Sequence, residues 1–137
     1  MGFRSNPQLG AVREAIREYP QLAAATNDAH HYLQQIRDAR EGIGTVGIDL
    51  LPSVISECSR LVNKEASFML AWRRLNEEQR QILSVYHWKG LSRQEAVDEL
   101  CDTLHCSDST VERRYMKALQ QMQKHLEAWD GAYSCQS

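Results

Sequence analysis

The densest run of chemistry-bearing side chains lies between residues 107 and 124. Ser107, Asp108, Ser109 and Thr110 open it, and Arg113, Arg114, Lys117 and Lys124 follow. Small hydroxyls at a helix N-terminus, with a guanidinium one turn on, suit the edges of DNA bases, and an arginine can fork onto the O6 and N7 of guanine. Arg113 is the residue placed for that fork. Arg114, Lys117 and Lys124 suit phosphates, which position a protein without reporting sequence. Asp108 can only accept a hydrogen bond, so it fits either a cytosine amino group or the positive end of its own helix. Ser92, Arg93 and Gln94 open an earlier helix, whose backbone N–H groups can meet a phosphate. Residues 111–126 hold four basic groups against Glu112 alone, in a chain of net charge −2. Bulk charge does not make a nucleic-acid binder of this chain, so any such site is a local patch. Taken alone, these residues are more simply a solvated helix face.

Other chemistries find less support. Cys58, Cys101, Cys106 and Cys135 are an even count, but a chain with 42% hydrophobic residues does not need disulfide staples. Cys101, His105 and Cys106 match no paired metal-ligand spacing, and no metal is expected. His30 and His31 are neighbours, which in a helix point about 100° apart and do not converge. Gly42, Gly44 and Gly47 match G-x-G-x-x-G literally. That motif binds a dinucleotide only between a strand and a helix N-terminus. Here a helix precedes it, so residues 41–51 read as a linker. His87, His105 and His125 fall on separate helices, with no nucleophile on a shared face. Neither catalytic residues nor a cofactor are expected.

These groups must be held by helices. The 137 residues include only 3 Pro and 7 Gly, leaving long stretches free of breakers. Leu9, Val12, Ile16 and Tyr19 recur at gaps of three and four after a cap at Asn6 and Pro7. Pro20 then predicts a break, with a second helix carrying Leu22, Ala25, Ala29, Leu33 and Ile36. Pro52 starts what reads as the longest helix, to about Leu75. Val54, Cys58, Leu61, Phe68, Trp72 and Leu75 form its heptad stripe, interrupted once by Glu65 and flanked by Ile55, Val62 and Met69. The stripe either packs on the N-terminal helices or forms a homodimer seam through Leu61, Phe68 and Trp72.

Three short helices follow. Asn76 with Gln79, and Ser92 with Glu95, have capping-box spacing, and Ser107 caps the third. Lys89-Gly90 stops the first. The expected fold is all-α. Residues 1–51 are a helical region with a Gly-rich linker, 52–75 the long helix, 76–128 a helix-turn-helix and 129–137 a tail.

The segment LNEEQRQILSVYHWKGLSRQEAVDEL, followed by CSDSTVERRYMKAL, resembles region 4 of bacterial sigma factors. The resemblance rests on the helix start at 75–80, the Gly90-Leu91-Ser92 turn, Glu95 and the cap at 106–111. The whole chain is similar to phage transcriptional regulators of the RinA and ArpU type, to which the Arg17-Glu18-Tyr19-Pro20 turn and the linker also fit. The sequence departs from the sigma pattern by four residues, because Cys101-Asp102-Thr103-Leu104-His105 stand where one residue, usually Gly, is found. About one helical turn is added, with Leu104 continuing the face of Leu100, and the tilt of the last helix is left open.

The resemblance implies a sequence-specific DNA-binding regulator, an activator of phage or prophage late genes. Double-stranded DNA and RNA polymerase are its implied partners. The alternative is a module that binds RNA polymerase or a host regulator without reading DNA. No run approaches the ~18 apolar residues of a membrane span, and the N-terminus lacks a signal-peptide core. A soluble cytoplasmic protein is expected.

Overall fold

The computed structural model describes residues 7–40 and 52–128. Asn6, the glycine motif at 42–47, Cys135 and the tail at 129–137 lie outside the described residues. Five helices follow in order: α1 (Pro7–Arg40), α2 (Pro52–Arg74), α3 (Glu77–Trp88), α4 (Arg93–Leu104) and α5 (Asp108–Glu127). No strand occurs among the described residues, and the fold is all-α.

α1 departs from the sequence reading. It is one helix of 34 residues, not two, and it is longer than the 23-residue α2. Arg17-Glu18-Tyr19-Pro20 is therefore a helical turn inside α1 and not a break. Proline breaks helices because it lacks an N–H and crowds the carbonyl four residues earlier. In this chain that carbonyl belongs to Ile16, which is fully buried. Its oxygen accepts the indole N–H of Trp88 at 2.7 Å. The hydrogen bond lost inside the helix is replaced by one from α3, and the pyrrolidine ring lies on the exposed side.

The stripe on α2 packs on α1. Phe68 is fully buried and stacks on Tyr19 with ring centroids 4.5 Å apart. Trp72 is half-buried between Phe68 and Trp88. The Thr26 hydroxyl donates to the Leu61 carbonyl at 3.3 Å. Glu65, the interruption in the stripe, accepts the Tyr19 hydroxyl at 2.7 Å. Burial, then the carboxylate, pushes the Tyr19 phenol up to about 12. A charged residue in an apolar stripe is tolerable because it has a partner there.

The core continues from α1 into the three short helices. Leu9, Val12 and Ile16 join Ile82, Leu83, Leu100, Val111, Leu119 and Met122 in one buried cluster. The turn between α2 and α3 is tied by Arg80, whose guanidinium donates to the carbonyls of Leu75 and Arg73. Asn76 and Gln79 then form a reciprocal capping box at the start of α3. α3 ends at Lys89, and Gly90 takes φ +70°, the left-handed conformation that glycine adopts without Cβ strain.

Candidate nucleic-acid interface

α4 and α5 are set by their ends. Ser92 caps α4 by accepting the Glu95 N–H at 3.2 Å, while Glu95 accepts the Ser92 N–H at 2.8 Å. α4 runs 12 residues to Leu104, with Ala96, Val97 and Leu100 buried. The four extra residues lengthen this helix by a turn, and Leu104 packs half-buried against the core beyond Leu100. His105 closes α4 at φ 56°, in the left-handed region. The N–H groups of His105 and Cys106 both turn back to the Cys101 carbonyl. This arrangement, usually supplied by glycine, costs a side-chain-bearing residue about 1–2 kcal/mol.

α5 starts from Ser107, whose side chain accepts the Thr110 N–H at 3.3 Å. Its hydroxyl also lies 3.1 Å from the Thr110 hydroxyl and 3.3 Å from that of Ser109. Val111, Tyr115, Ala118, Leu119, Met122 and Leu126 are buried along one face. Ser109, Arg113, Met116, Lys117, Gln120 and Lys124 are exposed along the opposite face.

The two neighbouring arginines part company here. Arg114 lies 3.3 Å from Glu78 of α3 and is only partly exposed. Arg113 and Lys117 are exposed and form no ion pair or side-chain hydrogen bond among the described residues. The guanidinium that stands clear of the fold is therefore that of Arg113. Arg93, at the start of α4, is held 3.1 Å from Glu112 of α5, with both side chains well exposed. Gln94 donates to Asp98 at 2.9 Å.

Asp108 accepts the Cys101 thiol at 3.0 Å. That hydrogen bond, ahead of burial, pushes the thiol up to about 11. The Asp108 carboxylate thus bridges α5 to α4 and sits at the positive end of α5, where the helix dipole favours it. Sequence reasoning missed Met116 and Gln120, which share the open face with Arg113. Their signal was available: they stand three and seven residues after Arg113, opposite the buried stripe.

Behind this face, Tyr115 stacks on Tyr86 at 3.8 Å, and its hydroxyl lies 2.8 Å from His87 Nε2. Burial, then the charges of Arg17 and Arg13, lowers His87 to about 4.

Two short helices joined by a tight turn, the second opening with hydroxyls and a free arginine, make the geometry of a helix-turn-helix. Residues 66–122 match the family described as Sigma-70, region 4. This segment is a sigma region 4-like helix-turn-helix. It takes in the end of α2, all of α3 and α4, and most of α5. The sigma region 4 family is a DNA-binding, transcription-related domain and not an enzymatic one. α1 and the first half of α2 lie outside the match. No curated protein and no solved structure matches the chain. No helix among the described residues is long and apolar enough to cross a membrane.

Proposed function

We propose that the chain is a sequence-specific DNA-binding regulator that activates phage or prophage late genes. The observation that carries the DNA-reading part is the open face of α5, where Arg113 stands unpaired in the second turn past the Ser107 cap. A recognition helix presents this part of itself to base edges in the major groove. Arg113 reads guanine, Ser109 and Thr110 supply adaptable hydroxyl contacts, and Lys117 meets phosphate. Arg93 and Gln94 meet the backbone at the N-terminus of α4. Arg114 serves the protein first, by joining α5 to α3 through Glu78. The phage and activator parts are supported by the resemblance to RinA and ArpU regulators. RNA polymerase is the implied protein partner through the region 4-like segment.

A homodimer is proposed through the outer side of α2, where Leu70 is exposed, because Phe68 is committed to α1. DNA immunoprecipitation with sequencing in the host tests the reading. Enrichment of a few sites upstream of prophage structural genes is the expected result. Recovery of polymerase or a host regulator with no enriched DNA would favour the protein-binding alternative.

A further inference from the structure

We propose that α1, outside the region 4 match, is a second DNA-contacting element, whose Arg13 and Arg17 take the phosphate backbone beside the stretch met by the start of α4. This rests on the DNA-binding reading above and extends the interface to a helix that the family does not supply.

The placement of α1 is firm. Val12 and Ile16 are buried at 4% and 0% exposure. The Ile16 carbonyl is bonded to Trp88, the last residue of α3, four residues before the Ser92 cap of α4. α1 is thereby pinned at the α3–α4 turn, the end of the domain where α4 begins. Arg13 and Arg17 directly follow Val12 and Ile16 and sit one turn apart on one side of the helix.

Both arginines converge on the group that links α3 to α5. Their charges act on His87, and both also act on Tyr115. Burial raises the Tyr115 phenol, and Arg13, Arg93 and Arg17 all act against that rise. The charges of Arg13 and Arg17 from α1 and of Arg93 from α4 therefore reach one hydroxyl, that of Tyr115 at the α3–α5 contact behind the open face of α5. Such like charges repel one another until an anion joins them, and a phosphate backbone is the extended anion that α4 already faces.

The carboxylates nearby do not close the patch. Glu14 holds Arg17 at 3.1 Å with side chains 57% and 53% exposed, and Glu112 holds Arg93 in the same exposed way. Exposed pairs of this kind are weak and exchange readily for a phosphate. Arg13 forms no ion pair among the described residues.

The test uses the full chain and fluorescence anisotropy, with a selected target duplex and a scrambled one, across several salt concentrations. The Arg13→Gln/Arg17→Gln double variant should lose affinity on the order of tenfold or more at ~0.1 M salt, equally on both duplexes, with a salt slope smaller by about two. Arg13→Lys/Arg17→Lys keeps the charges and should recover most of the affinity and slope. A lysine variant that binds as poorly as the glutamine variant would show a structural role and overturn the proposal. So would a glutamine variant with the wild-type slope while Arg113→Ala still loses the target. If the wild-type protein binds neither duplex, the DNA-binding reading falls as well.

Discussion

At the scale of single residues, the interface turns on the difference between Arg113 and Arg114. Adjacent in sequence, they leave α5 in directions about 100° apart, and only Arg114 meets a carboxylate, Glu78. Arg113→Ala should cost about 1–3 kcal/mol on the target duplex and little on a scrambled one. Lys117→Ala should weaken both alike. Arg114→Ala should cost no more than about 1 kcal/mol of stability, because its ion pair is about 40% exposed on each side. Equilibrium titrations on both duplexes, with urea melts, check these three. His105 gives a prediction about folding alone. Its φ of 56° is strained for any residue with a Cβ. His105→Gly relieves about 1–2 kcal/mol of that strain and adds back about 0.5–1 kcal/mol of unfolded-chain entropy. The net is a stabilisation of under about 1.5 kcal/mol and a Tm higher by a few degrees in a thermal scan. A lower Tm would mean that the His105 side chain contributes something the glycine cannot.

At the scale of elements, the short helices were legible and the long one was not. Asn76, Ser92 and Ser107 can be read as caps because a cap is local: the side chain bonds the backbone three residues on, and the sequence holds both partners. Pro20 misleads because its compensation is not local. The donor that frees the helix from breaking is Trp88, 72 residues away from the carbonyl it serves. The same holds for Arg114, whose direction depends on Glu78 from 36 residues away. Nor does periodicity alone show that the α2 stripe would find its partner within the chain.

The Pro20–Trp88 compensation can be measured. Trp88→Phe leaves the buried Ile16 carbonyl unpaired, at a cost of about 1–3 kcal/mol beyond the lost packing. In a Pro20→Ala background the new backbone N–H can bond that carbonyl, so the same change should cost measurably less. A double-mutant cycle by urea unfolding reads the coupling, and strict additivity would contradict this role for Trp88.

His87 adds a pH dependence. Its pKa lies near 4 in the folded chain, held down first by burial and then by Arg17 and Arg13. An unfolded histidine titrates near 6.5. Between those values the unfolded state binds the extra proton, so stability is full above about 6.5 and falls as pH drops towards 4. The Tm should decline across that window in wild type and decline less in His87→Gln, by scanning calorimetry.

At the scale of the whole molecule, one core joins α1 to the helix-turn-helix, which is thus braced by a part of the chain that the region 4 match does not reach. Phe68 lies at the centre of that brace. Phe68→Ala should destabilise the chain by about 3–5 kcal/mol, and it should weaken DNA binding only through unfolding. If the proposed homodimer forms on the outer side of α2, light scattering should give a mass near twice 15.7 kDa. A Leu70→Glu variant should then return a single chain that remains folded.

The central claim is that the open face of α5 reads DNA sequence through Arg113. Affinity selection from a random duplex pool, with wild type and Arg113→Ala in parallel, tests it most directly. Wild type should enrich a short motif containing a fixed guanine. Arg113→Ala should recover the rest of the motif with that position randomised. No enriched motif from wild type, or an identical motif from both proteins, would contradict the claim.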